Sequence, residues 1–240
     1  MLKNVFKIVA IFLVGMVGGI FADQIFWPYF VERPLFYQYR LEKNPVYVTE
    51  IKEFTIEENI ALKLAIAKVE KTVIGIKTET EAGEILEGSG LIVTSDGLMV
   101  TLASLVPKGS DFLFYVDGKP ASYQILKRDL TTDLALVKLG GTNLPTVSFA
   151  NFEKMELGER VFLVGLDFAA SRTSPSLLVN EGIVKSFTED FIETNIIEKS
   201  TLKGSPLFNI QGEILGLNKV DLEGKVMAVP VSQIKKFVGM

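Results

Sequence analysis

Hydrophobic residues are distributed along this chain in two different patterns. Near the N-terminus they form a continuous run over residues 5–22, interrupted only by Lys7, and a second apolar cluster follows at residues 25–30. A run of this length is close to the roughly 20 residues that a helix needs to cross a bilayer. Farther along, apolar residues come in short or alternating runs separated by turn residues, which is typical of β-strands. The pattern predicts one membrane-spanning helix followed by a mostly β domain.

The charges that flank the apolar run predict its orientation. Lys3 and Lys7 precede the run or lie at its start, whereas Asp23 follows it. The positive-inside rule then places the N-terminus in the cytoplasm and residues 31–240 outside. We expect a single-pass protein that contacts the membrane through residues 5–22.

A cleaved signal peptide is the alternative to a permanent anchor. A cut after Ala22 would place Ile20 three positions before the cleavage site, where a small residue is required. The anchor is therefore the preferred interpretation.

The remainder of the chain predicts about a dozen short strands in two sets. The first set covers residues 73–78, 84–93, 98–101, 112–116, 121–127 and 134–139, and the second covers residues 146–149, 160–164, 176–186, 192–197, 206–208, 213–218 and 226–229. Two sets of short strands favour two small barrels or a sandwich. A helix begins near Thr55, which has capping-box spacing to Glu58, and a short helix closes the chain at residues 232–238.

These elements divide the chain into four predicted parts. Residues 1–30 form the membrane anchor, residues 31–71 form a juxtamembrane stalk and helix, residues 72–145 form the first barrel, and residues 146–240 form the second.

Composition excludes several classes of function. The net charge of −4 and the sequence pI of about 5.1 provide no positive field that would attract nucleic acid. The sequence has no cysteine and no histidine, so disulfides, thiolate catalysis, histidine-dependent hydrolysis and the commonest zinc ligands are excluded. We therefore expect no metal and no other cofactor.

Three groups of residues resemble HtrA-type, chymotrypsin-fold serine proteases. The stretches 88–97 and 100–106 resemble the opening of the first barrel, with Ser104 where the family has its catalytic histidine. The segment 128–138 is similar to the one that carries the catalytic aspartate, which corresponds to Asp133. Residues 201–207 correspond to the sequence around the nucleophile, whose position is occupied by Lys203.

The resemblance implies an all-β, chymotrypsin-like double β-barrel with an N-terminal transmembrane helix and a short C-terminal helix. It also implies that no catalytic triad is intact, because the triad positions are Ser104, Asp133 and Lys203. The oxyanion-hole positions correspond to Thr201 and Lys203, and a β-branched residue at 201 resists the backbone conformations that glycine adopts.

Three hypotheses address what the altered positions do. In the first, Lys203 pairs with Asp133 and replaces the lost histidine contact. In the second, Ser104 and Lys203 form a non-standard catalytic dyad, although Asp133 nearby would favour the charged lysine, which is not a base. In the third, Ser205 acts as the nucleophile, but no histidine is present to activate it.

The preferred functional prediction is a membrane-anchored pseudoprotease that works by binding. Its expected ligand is an extended peptide added as a strand beside the second barrel, or a second copy of the chain, since members of the family often form trimers. The alternatives are a peptidase that uses the Ser104–Lys203 pair and an envelope spacer without a ligand. The family usually carries a PDZ domain after the protease, and we expect none here because the chain ends at Met240.

Overall fold

The computed structural model describes residues 2–32, 54–168 and 175–240 and divides the chain into two compact units. The first unit holds helix α1, Leu2–Phe21, which continues as a π-helix over Ala22–Glu32. Its span Lys3–Trp27 is long and apolar enough to cross a membrane, and none of it is buried by protein. Most of the predicted stalk, residues 33–53, lies outside the described residues.

The second unit, Thr55–Met240, contains all but the first residue of helix α2, Phe54–Val69, and then the predicted all-β domain. The first set of strands is β1 Val73–Glu79, β2 Ile85–Ile92, β3 Leu98–Leu102, β4 Asp111–Val116, β5 Lys119–Ala121, β6 Tyr123–Asp129 and β7 Leu134–Leu139. They form one antiparallel sheet in the order β5-β4-β1-β2-β3-β7-β6. The sheet is curled, so that β6 at one end approaches β4 near the other. The ring centroid of Tyr123 on β6 lies 5.9 Å from that of Phe112 and 4.8 Å from that of Phe114, both on β4.

The second set of strands forms a closed antiparallel barrel. Its members are β8 Arg160–Asp167, β9 Ser176–Phe187, β10 Ile192–Ile197, β11 Pro206–Asn209, β12 Ile214–Val220 and β13 Lys225–Pro230. They follow one another around the barrel in the order β10-β13-β12-β11-β8-β9. Helix α3, Val231–Val238, follows β13 directly and ends at Gly239, whose φ of 88° is the left-handed conformation that glycine adopts without steric cost.

The predicted strands are confirmed with two differences. Residues 146–149 form no strand, since only an isolated bridge joins Phe149 to Ile214. The short strand β5 was missed because it follows a two-residue Asp117-Gly118 turn and contains Pro120, which disfavours a strand prediction. Helix α2 is described from Phe54 onward, so Thr55 lies within the helix and is not its N-cap.

Apolar packing joins the two strand sets into one core. One buried cluster fills the first sheet, a second fills the barrel, and a third contains residues from both. In the third cluster Leu91 and Leu102 belong to the first sheet, Phe162 and Phe208 belong to the barrel, and Val69 belongs to α2; all five are at most 1% exposed. Burial of such side chains contributes roughly 1.5–3 kcal/mol each, so the two sets are fixed relative to each other.

Ser89 forms a buried polar connection between the two strand sets. Its N–H donates to the carbonyl of Lys203 at 2.9 Å, its Oγ accepts from the N–H of Leu166 at 3.0 Å, and its carbonyl accepts from the Thr101 hydroxyl at 2.8 Å. Ser89 and Thr101 are fully buried. Since buried polar groups are costly when unpaired, this bonding fixes the segment around Lys203 against β2.

Candidate functional site

Ser104 and Asp133 are held together on the first strand set. Ser104 lies in the 3-10 turn Ala103–Leu105 that follows β3, and Asp133 lies just before β7. The N–H of Ser104 donates to Asp133 Oδ1 at 2.8 Å, and its hydroxyl donates to Oδ2 at 3.2 Å. The N–H of Ala103 also donates to the Asp133 carbonyl at 3.0 Å. The side chain that replaces the family histidine is thus a hydrogen-bond partner of the aspartate.

The backbone of Asp133 adopts a left-handed conformation with φ of 59°. Aspartate and asparagine are enriched in this region, which costs most other residues free energy. The conformation directs both carboxylate oxygens to Ser104, so Asp133 has a structural role independent of any catalysis.

The cation beside Asp133 is Lys219 of β12. Its Nζ lies 3.6 Å from Asp133 Oδ2 and donates to the Thr132 carbonyl at 3.3 Å. The predicted Lys203–Asp133 ion pair is therefore wrong, since the described residues contain no such contact within 4.0 Å. The motifs that resemble the family did not indicate Lys219, because none of them contains this residue.

Lys203 follows the 3-10 turn Ser200–Leu202 and is half-buried. Its backbone N–H donates to the Ser200 carbonyl at 3.3 Å, and its own carbonyl is bonded to Ser89. The amide at the family's nucleophile position is therefore directed into its own turn. An oxyanion would have to compete for this donor, whereas a preorganised oxyanion hole offers its donors without reorganisation.

The next two residues are buried and tightly fixed. Gly204 has φ of 73°, and a Cβ at this position would come within 2.3 Å of the Ser89 carbonyl oxygen. Ser205 is fully buried, and its hydroxyl accepts from Asn218 Nδ2 at 3.1 Å. A side chain without access to solvent cannot attack a peptide bond, so this geometry disfavours Ser205 as a nucleophile.

No hydrogen bond or ion pair between Ser104 and Lys203 is present in the described part of the chain. The ammonium group of Lys203 likewise has no acidic partner among residues 2–32, 54–168 and 175–240. Over the same residues, no three carboxylates approach closely enough to hold a metal ion.

The backbone of β12 extends beyond its neighbour β11. Asn218 donates its N–H to the Ser205 carbonyl and accepts from the Gly204 N–H, both at 2.8 Å, so its backbone groups face away from β13. Backbone groups alternate between the two edges of an antiparallel strand. Val220 is paired in register with Val226 of β13 and therefore presents its N–H and carbonyl on the same edge as Asn218. On that edge the Lys203 carbonyl bonds to the N–H of Ser89 and not to β12.

Among the described residues, no backbone group on that edge pairs with Val220. Val220 is only 5% exposed, and its side chain packs into the barrel core. Val220 also lines a depression of about 270 Å³ together with Phe191, Met227 and Ala228, among others. The depression is lined by residues of β12 and β13 and by none of β11. We call the side of residues 218–220 that faces β11 the β12 edge.

Comparison with known proteins identifies the fold and the family. A family model described as "Trypsin-like peptidase domain" matches residues 88–217, more than half of the chain. The chain belongs to the trypsin-like peptidase family. The matched segment contains Ser104, Asp133 and Lys203.

Curated relatives include a "Probable periplasmic serine endoprotease DegP-like" from Halomonas elongata, 30% identical over 135 residues, and one of the same name from Pseudomonas putida, 33% identical over 140 residues. Each alignment covers 55% of this chain and 28% of the relative, so the chain spans less than a third of the length of these relatives.

Among solved structures, the "HtrA-type protease AlgW with tripeptide" matches with a TM-score of 0.66 over 74% of this chain and 62% of that chain, at 22% identity. This similarity shows a chymotrypsin-like fold, with the first strand set as a half-barrel and the second as the closed barrel. The predicted HtrA-type family and the all-β, chymotrypsin-like fold with a short C-terminal helix are confirmed. That the apolar N-terminal helix crosses a membrane stays a prediction.

Sequence reasoning missed Lys219 and the β12 edge. A signal was present for the lysine, because Asn218 and Lys219 are polar residues near the end of an otherwise apolar strand. The edge could not be found in this way, since it depends on where β11 begins relative to β12. The assignment of Thr201 and Lys203 as oxyanion-hole positions stays a prediction.

Proposed function

We propose that this protein is a membrane-anchored, catalytically inactive homologue of HtrA-type proteases that binds an extended peptide or protein segment at the β12 edge. The observation that carries the proposal is the combination of this edge with a site that has lost its nucleophile and its base. A strand added to the β12 edge would bond to the N–H and carbonyl of Val220, and main-chain hydrogen bonds of this kind provide affinity in strand addition.

Loss of catalysis follows from the chemistry of the substituted positions. A serine or a similar nucleophile requires an adjacent base, and Ser104 donates its hydroxyl proton to a carboxylate instead of accepting one from a nucleophile. Lys203 has no hydroxyl, and its backbone amide is engaged in the preceding turn. The chain contains no histidine elsewhere to replace the missing base.

The proposed membrane anchor of this protein is the apolar span Lys3–Trp27. We place the N-terminus in the cytoplasm and the β domain outside it, because Lys3 and Lys7 lie at one end of the span and Asp23 follows it. The word "periplasmic" in the names of the curated relatives agrees with this orientation. Tagging each terminus and testing its accessibility to protease in intact cells and in lysed cells measures the orientation directly.

Binding is tested with the full chain in detergent micelles. An array of short peptides should yield sequences that bind saturably, and N-methylation of alternate backbone amides in those peptides should abolish binding. N-methylation at the intervening amides should have little effect, because only one edge of an added strand bonds to its neighbour. Absence of saturable binding across the array would favour a spacer role and contradict the proposal.

Inactivity is tested separately with a serine-directed phosphonate. We expect no covalent labelling and no cleavage of the peptides that bind. Labelling that disappears in the Ser104→Ala variant would instead support the Ser104–Lys203 peptidase and overturn the assignment as an inactive homologue.

A further inference from the structure

The outer face of the hairpin formed by β12 and β13 carries an apolar depression. Val226 and Ala228 of β13 are buried in the barrel core, and successive side chains of a strand point to opposite faces, so Met227 points outward between them. Met227 is 36% exposed and, with the partly buried Phe191, lines the depression of about 270 Å³. Methionine adapts its shape to an apolar partner. The volume is below the roughly 300–1,000 Å³ of small-molecule pockets and therefore suits a single side chain.

The two lysines that line the depression are already paired. The Nζ of Lys219 lies 3.6 Å from Asp133 Oδ2, and the Nζ of Lys225 lies 2.5 Å from Glu223 Oε2. Neither of these carboxylates lines the depression. Each ammonium group is thus offset by an acidic residue outside it.

The two carboxylates that line the depression have hydrogen bonds but no salt bridge within 4.0 Å in the part of the chain that the structure describes. Asp190 Oδ1 accepts from the Gln233 amide at 3.3 Å. Asp221 Oδ1 accepts from the N–H groups of Glu223 and Lys225, both at 2.8 Å. Asp190 and Asp221 are both exposed, and they lie on opposite sides of the depression along the chain, before β10 and after β12. The rim of the apolar depression therefore carries two negative charges that a cation can pair with.

We propose that this depression binds a segment of a partner protein in which a large apolar side chain adjoins a lysine or an arginine. The apolar side chain contacts Phe191 and Met227, and the basic side chain pairs with Asp190 or Asp221. Charge complementarity favours this partner, because an acidic segment would place like charges side by side. The contacts are made by side chains on the outer face of the hairpin, so this surface is separate from the β12 edge and the inference goes beyond the proposed function.

Three acetylated and amidated hexapeptides test the inference. One has the sequence Gly-Ser-Phe-Lys-Ser-Gly, and the other two contain Ala-Lys or Phe-Glu in place of Phe-Lys. They are added to the full chain in phosphatidylcholine nanodiscs, because detergent monomers would compete for an apolar surface. NMR of the protein labelled with carbon-13 at its methionine methyl groups reports the contact at Met227, whose resonance is assigned with Met227→Leu. The buried Met99 and Met155 are internal controls.

The Phe-Lys peptide should shift the Met227 resonance saturably and leave the two buried methionines unchanged. It should bind about tenfold or more tightly than the Ala-Lys peptide, because a phenylalanine side chain buries more apolar surface. It should bind about threefold or more tightly than the Phe-Glu peptide, which is the range expected of exposed charge pairs.

Substitution of the two rim carboxylates identifies their role. The double variant Asp190→Asn, Asp221→Asn removes both charges but keeps the Oδ1 acceptors. In this variant the preference for Phe-Lys over Phe-Glu should disappear, whereas the preference over Ala-Lys should remain. Asp117→Asn is the matched control, because Asp117 is an exposed acidic residue in the β4–β5 turn of the first strand set, and it should change neither preference.

Four results would overturn the inference. They are the absence of saturable binding, saturable binding that leaves the Met227 resonance unshifted, a preference for Phe-Lys over Phe-Glu that persists in the double variant, and a Met227 resonance that changes with protein concentration without peptide. The last result would assign the depression to a second copy of the chain. Each of them leaves strand addition at the β12 edge to its own test, since N-methylation of the peptide backbone should not alter the shift of Met227.

Discussion

Replacing Asp133 by alanine should lower the free energy of unfolding by about 2–3 kcal/mol, whereas replacing it by asparagine should lower it by under about 1 kcal/mol. Alanine removes the acceptor of the Ser104 N–H and of its hydroxyl, at 2.8 and 3.2 Å. Because the Asp133 side chain is 24% exposed, water replaces part of the loss, and we assign roughly 1–2 kcal/mol to the two bonds. The left-handed backbone at φ of 59° adds roughly 1 kcal/mol for alanine.

Asparagine should preserve most of these interactions. Its Oδ1 accepts from the Ser104 N–H, its Nδ2 donates to the Ser104 hydroxyl oxygen, and asparagine tolerates the left-handed conformation. It loses the ion pair with Lys219, whose side chain is 42% exposed. An exposed pair of this kind contributes about 0–1 kcal/mol, so Lys219→Met should have a similarly small effect.

Asp117 provides a matched control for the backbone term. It also has a left-handed backbone, with φ of 48°, but it is exposed in the β4–β5 turn and makes no side-chain hydrogen bond among the described residues. Asp117→Ala should therefore cost roughly 1 kcal/mol. The difference between the two alanine variants isolates the hydrogen bonds to Ser104.

Urea unfolding of the full chain in detergent micelles measures these values. Far-UV circular dichroism should be recorded, because the only tryptophan, Trp27, lies in the apolar N-terminal helix and does not report on the strands. Equal losses for Asp133→Ala, Asp133→Asn and Asp117→Ala would refute the reasoning, since they would show that neither the hydrogen bonds nor the residue type at Asp133 matters.

Two further predictions concern other polar groups of the β domain. Ser205→Ala should lower the free energy of unfolding by roughly 1–3 kcal/mol in the same assay, because it removes the acceptor of the buried Asn218 amide; an unchanged stability would contradict this. The hydrogen bond from the Lys138 ammonium, together with one from a threonine hydroxyl, lowers the pKa of Asp96 in the folded protein. The ionised carboxylate therefore stabilises the fold at pH values above the pKa of Asp96 in the unfolded chain, and this stabilisation is lost as the pH falls through its pKa in the folded protein. In Lys138→Met, NMR titration should show the pKa of Asp96 shifted upward toward its ordinary value, and an unchanged pKa would refute the role of the lysine.

Local sequence patterns were sufficient for most of the fold. Strands such as β7 and β10 have the predicted bounds because apolar alternation and turn residues limit them on both sides. Residues 146–149 have the same kind of pattern, but they contribute only an isolated bridge, since a strand also needs a partner whose edge is vacant. Pattern alone does not show whether such a partner exists.

The sequence predicted which positions form the site, but it did not predict which side chains contact each other there. Motif matching correctly brought Ser104 to Asp133, because both positions belong to segments whose pairing the fold determines. It gave the wrong cation, because the identity of the cation depends on side-chain direction. Asn218 is fully buried, and successive side chains of a strand point to opposite faces, so Lys219 points out of the barrel, where Asp133 lies.

The correction changes what Lys203 is available to do. Had Lys203 paired with Asp133, the altered site would be electrostatically complete, and its only role would be to stabilise the fold. Because Lys219 of β12 lies beside Asp133 instead, Lys203 has no acidic partner among the described residues. Under the proposed function, Lys203 is therefore a cation that a bound peptide could contact, whereas Asp133 has its cation and its hydrogen bonds without it.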